Sequence, residues 1–199
     1  MLSKIVLVIF LLLAAFVGAL FTNYNYSSNV ASVRDEAFET TLAINIVAHR
    51  VSSGRLQSVR THADIERVME AAEEIWEQAE IRFNYEIVDT EFDKSTEAAI
   101  YRENYKAVYL EDYYREGAIN IFFVNALPAN GIAIHPSTAF VNDRTSVNDF
   151  RATAHEIGHL LGLEHTSTSK TRLLYRGVNG TLLIPAEIDL ARTNAAAFK

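Results

Sequence analysis

Residues 151 to 165 read RATAHEIGHLLGLEH, and the placement of three histidines in this stretch decides the architecture around it. His155 and His159 are one helical turn apart, so both imidazoles project from one helix face and can converge on a single zinc ion. Glu156, one residue along, is close enough to reach a water on that ion. Gly162 can take the left-handed backbone conformation that ends a helix, which turns the chain so that His165 approaches as a third nitrogen ligand. Three protein ligands leave a fourth tetrahedral position for water, the pattern of a catalytic zinc site. Such an ion lowers the pKa of its water toward about 7, and Glu156 is the expected general base. An HExxH match arises by chance in on the order of one protein in a hundred of this length; adding Gly162 and His165 lowers that to about one in a hundred thousand. Incidental surface histidines are a poor explanation.

Working outward, Ser146 and Asp149 predict a capping box that starts this helix near Val147. Upstream, Gly131 to Val141 reads as two short extended pieces interrupted at His135-Pro136, and a proline there argues for a sheet edge. Ala118 to Val124 (AINIFFV) is almost wholly apolar, as a central strand covered on both faces should be. Leu42 to Val51 and Ile81 to Val88 alternate as strands, the latter with Ile81, Phe83, Tyr85 and Ile87 on one face. Between them a Thr61/Asp64 capping box opens a helix whose apolar positions run from Ile65 through Trp76 to Ala79. Strand, helix, strand in that order predicts a parallel crossover. Tyr101, Tyr105, Tyr109 and Tyr113 recur every four residues and predict a helix with a tyrosine stripe packed on the sheet. Pro185 suits the first turn of a last helix, with Ile184, Ile188, Ala191, Ala195 and Phe198 as its buried stripe. Of the other histidines, His49, His62 and His135 are expected to be structural or exposed, with His135 near the cleft.

HEIGHLLGLEH, residues 155–165, followed by Thr166, resembles the HExxHxxGxxH consensus of the metzincin zinc endopeptidases, most nearly their matrixin branch. The resemblance implies an α+β fold. A twisted, mixed, mostly parallel sheet with an antiparallel edge strand would pack on the active-site helix and a second long helix, with a further helix at the C-terminus. It also implies an endopeptidase acting on protein or peptide substrates, with the piece around Gly131 to Ile134 as the edge that pairs with substrate backbone.

The sequence departs from that family in two places. Metzincins are named for a methionine in a tight turn beneath the metal, yet no Met follows Met69. Arg172-Leu173-Leu174-Tyr175-Arg176-Gly177 occupies the corresponding stretch, which sets Leu174 in place of the methionine and Arg176 in place of a proline. Leucine nearly conserves the volume, so the floor should stay apolar, while Arg176 gives the adjoining pocket wall a positive charge. Many matrixins are held latent by a propeptide cysteine, and this chain has none. Either latency is absent or it uses another ligand, for which the acidic stretch with Asp35, Glu36 and Glu39 is the one candidate. Calcium is allowed by carboxylates such as Asp143 and Asp149 but supported by no clear motif.

Composition bounds the remainder. With 199 residues the chain has room for one domain, and zero Cys excludes disulfides, thiolate metal sites and a cysteine nucleophile. Its net charge of −7 has no basic cluster to neutralise phosphates, which argues against nucleic acid as a partner. Residues 5–21 form an unbroken apolar run behind Lys4, the layout of an export signal or of a single N-terminal membrane anchor if uncut. The expected organisation is a signal or anchor at 1–22, a linker or short pro-region at 23–40, and a catalytic domain at 41–199. The product would be a monomer outside the cytoplasm, secreted or anchored. Two other readings stay open: a non-catalytic peptide-binding module, and a zinc hydrolase of a non-protein substrate. Replacing His165 by Ala is expected to weaken zinc retention tenfold or more in a dialysis titration; unchanged affinity would mean that the chain does not turn at Gly162 as argued.

Overall fold

Apolar alternation produces β1 (Leu42–Val51) and β2 (Ile81–Thr90), which pair in parallel from Leu42↔Ile81 to Val51↔Thr90. Parallel neighbours need a crossover, and α1 (His62–Trp76) supplies it. The Thr61 hydroxyl accepts from the Asp64 N–H while the Asp64 carboxylate accepts from the Thr61 N–H, so the predicted capping box is present. The helix closes in a 3-10 turn, Glu77–Ala79, and Glu80 at φ +50° redirects the chain into β2. The computed structural model describes residues 41–52, 54–110, 113–134 and 136–199, apart from the side chain of Leu110. The expected export or anchor segment, the linker with its acidic residues, and His135 lie outside the described residues.

β3 (Ile119–Val124) is buried at every position, as its unbroken apolar sequence requires, and stands at the centre of the sheet. With β4 (Gly131–Ile134) and β5 (Thr138–Asn142) the five strands run in the order β2-β1-β3-β5-β4. All neighbours are parallel except β4, which lies antiparallel to β5 at the edge. This is the mixed, mostly parallel sheet that the sequence predicts. One layer of helices holds α1 against α3 (Asp149–Leu160), with the Trp76 indole N–H donating to the Ala154 carbonyl at 3.3 Å. A last helix, α4 (Pro185–Ala195), packs against the Glu77–Ala79 turn and β1. Phe122 and Phe140 anchor a separate cluster with Val51, Leu56 and Ile100.

Three local expectations are corrected. The four tyrosines do not share a helix: α2 (Lys94–Tyr101) stops where Glu103 takes φ +63°, and a 3-10 turn, Tyr105–Leu110, follows. Carbonyls of Ala99 and Ile100 accept from the N–H groups of residues 102–104, which ends the helix and overrides the periodicity. Tyr105 and Tyr113 still pack on Phe140 and Phe92, with centroids at 5.4 and 5.2 Å, whereas Tyr101 is 47% exposed. Ser146 and Asp149 form no capping box. Asn148 precedes α3 without a side-chain cap, Ser146 bonds Asn130, and Asp149 pairs with the Arg60 guanidinium at 2.7 Å. Asp143 meets the same guanidinium at 3.1 Å, so the two carboxylates weighed for calcium converge on an arginine. Ile184 is exposed rather than part of the buried stripe of α4, because it lies before the first turn.

His49 is structural, as expected. Buried in β1, it bonds Thr90 Oγ1 through Nδ1 at 2.8 Å and Asn120 Oδ1 through Nε2 at 3.2 Å, and stacks on Phe122. Burial pushes its pKa from 6.5 down to about 4, more than the Asn120 bond raises it. Unfolded chains therefore bind a proton that the fold excludes: stability is full above pH 6.5 and falls as pH drops toward 4. Across this window the loss read by denaturant titration should be about 3 kcal/mol smaller in His49→Gln than in the parent; equal pH slopes would remove His49 from the acid sensitivity.

Candidate active site

The site is built at the end of α3. Gly162 at φ +83° carries the reversal: its N–H donates to His159 O at 3.0 Å, and Leu163 N–H donates to Gly158 O at 2.9 Å. These are the two bonds of a Schellman turn. A side chain at residue 162 would also strike Asn194, because its Cβ would lie 2.4 Å from Nδ2 of an amide that bonds the Leu161 carbonyl.

The reversal returns His165 to the helix. The three Nε2 atoms lie 3.2 Å (His155 to His159), 3.2 Å (His155 to His165) and 3.1 Å (His159 to His165) apart. A tetrahedral zinc about 2.0–2.1 Å from each nitrogen sets such atoms about 3.3–3.4 Å apart, so the triad fits that ion. His155 Nδ1–H donates to Leu173 O at 2.7 Å and His159 Nδ1–H to Leu163 O at 2.8 Å, which leaves both Nε2 lone pairs facing the centre. Burial holds His155 far below the ordinary imidazole range, at about 3. Desolvation first, then the charges of His159, Arg176 and Arg151, push His165 down to about 4. Rings kept neutral are in the state a metal requires.

Beneath the triad runs the turn at residues 172–177. Leu174 is fully buried and lies beside Gly158, where an added Cβ would come within 3.3 Å of Leu174 Cδ2. Arg151, buried one turn before His155, donates to the carbonyls of Gly180 at 3.3 Å, Leu173 at 2.6 Å and Tyr175. Leu173 O therefore serves His155 and Arg151 together. Sequence reasoning passed over Arg151, although a lone cation on the inner face of an apolar helix was a usable signal.

Glu156 is 6% exposed and lies against β4, where the Ala133 N–H bonds its carboxylate. Burial raises its pKa to about 7 against the opposing effects of Arg151 and that N–H. The contact explains Gly131, which spacing alone did not single out: a Cβ there would be 2.5 Å from Glu156 Cγ and 2.7 Å from Oε1. A cleft of about 560 Å³ joins β4, the triad, Glu156 and Arg176. Among the described residues the triad is the one cluster of this type able to hold a metal, and His49 and His62 stand apart from it.

The matrixin family model matches residues 33–181. This chain belongs to the matrixin family. Among solved structures this matrixin is similar to archaemetzincin from Methanopyrus kandleri, with 11% identity and a TM-score of 0.55 over 80% of this chain and 98% of that one. At that identity the likeness shows a shared fold, the metzincin-like fold expected from the motif. A chain titled as part of a chaperone–substrate complex is similar at 14% identity and a TM-score of 0.48, over 80% of this chain and 35% of that one, too loosely to bear on the fold. No curated protein sequence matches the chain. Gly131→Ala should drive Glu156 off the Ala133 N–H and cost about 1–3 kcal/mol in a denaturant titration; an unchanged midpoint would mean that Glu156 is not pressed on β4.

Proposed function

We propose that this matrixin is an exported zinc-dependent endopeptidase, with His155, His159 and His165 as the metal ligands and Glu156 as the general base. The observation that carries the reading is the approach of three Nε2 atoms to 3.1–3.2 Å beside a buried carboxylate in an open cleft. Zinc held there would supply Lewis acidity toward a peptide carbonyl and make water nucleophilic near neutral pH.

The chain's own residues perform the rest. β4 is the sheet edge, and Asn142 N–H donates to Asn130 O, so alternation along the antiparallel pair turns Ile132 and Ile134 toward β5. The carbonyls of Gly131 and Ala133 face outward on the cleft side, where an extended peptide can add as a further strand. Glu156 can accept a proton from the attacking water at a carboxylate oxygen and return it to the leaving amine nitrogen. Leu173 O orients His155, and Leu163 O orients His159. In this reading residues 41–199 are the catalytic unit, a monomer, and residues 5–21 direct or tether it outside the cytoplasm.

Glu156→Gln in the full-length protein should keep zinc at one equivalent and lower kcat/KM on a mixed peptide library by about 10²–10⁴. Comparable turnover by the variant would remove Glu156 from the base role. No cleavage by the zinc-loaded parent would favour a binding module or a non-peptide substrate.

A further inference from the structure

Arg176 is exposed and lines the same cleft as β4, the triad and Glu156. The turn that precedes it is held: Tyr175 N–H donates to Arg172 O at 3.2 Å, Thr166 N–H donates to Leu174 O at 3.1 Å, and Arg151 donates to the Tyr175 carbonyl. The side chain is hardly engaged. Among the described residues, the sole hydrogen-bond or ion-pair partner of its guanidinium is His165 Nδ1, 3.0 Å from Nη2. Arginine offers five N–H donors and no acceptor, so most of that capacity is unspent. A histidine that gives Nε2 to a metal carries its own proton on Nδ1 and cannot accept there. The contact with His165 is then donor against donor, and among the described residues Arg176 has no other protein acceptor.

The other charges in the cleft are already committed. Arg151 spends its donors on three backbone carbonyls. Glu156, the one carboxylate among the described residues lining the cleft, is bonded to the Ala133 N–H and buried. A net charge of −7 gives no long-range attraction for acidic ligands, so selection of an anion has to come from contact with a local cation. A guanidinium beside the reacting centre, with no anion partner among the described residues, is suited to bidentate recognition of a carboxylate.

We propose that Arg176 is a carboxylate-binding subsite, and that the preferred substrates are peptides carrying a carboxylate, on an Asp or Glu side chain or at the C-terminus, within reach of this guanidinium. The proposal rests on the peptidase reading above and deepens it to a substrate class.

The test uses the zinc-loaded full-length protein and peptide pairs that differ by Glu against Gln at each position, and by a free against an amidated C-terminus. Cleavage should favour one carboxylate-bearing member by about tenfold in kcat/KM, and the pair showing it separates side chain from terminus. That ratio should fall to about one in Arg176→Ala, return in part in Arg176→Lys, and turn toward Lys-bearing peptides in Arg176→Glu. A purely structural role would move all peptides together and leave the ratio alone. Binding is read in parallel by fluorescence anisotropy on zinc-loaded Glu156→Gln, with and without Arg176→Ala. Equal Kd values for both members of every pair, or a preference that survives Arg176→Ala, would overturn the subsite. A tenfold difference in Kd that Arg176→Ala abolishes, with no cleavage by the parent, would overturn the peptidase reading and leave the subsite standing.

Discussion

Bringing three imidazole nitrogens to one point is the constraint on which the rest of this structure depends. A helix can present two of them, because residues four apart share a face, but no straight helix can supply the third. The reversal at Gly162 is therefore a geometric requirement, and its two capping bonds set where His165 arrives. α3 packs on α1 along its middle, where the Trp76 indole bonds Ala154 O and lies beside Gly158. β4 then falls beside Glu156, close enough that only glycine fits at residue 131.

Much of this was legible in the sequence because it follows from periodicity and from fixed offsets. The β1-α1-β2 crossover, the buried centre at β3, the edge position of β4 and the His155-His159-His165 set all follow from local rules. The errors have a common cause. Tyr101 to Tyr113 keeps helical spacing, but one left-handed residue, Glu103, divides it, and no side-chain pattern announces that a non-glycine residue will take φ +63°. Ser146 and Asp149 have capping-box identities, yet Asn130 and Arg60, both remote in sequence, bind them instead. Local propensity yields wherever a tertiary partner makes the better bond.

Residues acting from a distance were the least visible. Gly131 matters only because Glu156 approaches it from another element, and Arg151 only because the turn at 172–180 folds back over α3. Neither relation is written in sequence spacing. The missing methionine was legible as an absence, and the residue aligned with it, Leu174, is buried beside Gly158.

Arg151 also shows how a buried charge can suit a floor of irregular backbone. The segment from Arg172 to Gly180 has little regular secondary structure, so its carbonyls lack the partners that a helix or a sheet would give. An apolar side chain at residue 151 would leave the carbonyls of Tyr175 and Gly180 without this donor and Leu173 O with His155 alone. Guanidinium has enough donors for all three, and its desolvation cost is offset by those charge-assisted bonds without a carboxylate partner. Because Leu173 O is shared with His155 Nδ1–H, the same cation that satisfies the turn also fixes the ring that faces the metal site. Turn and helix thus position one another through a single carbonyl.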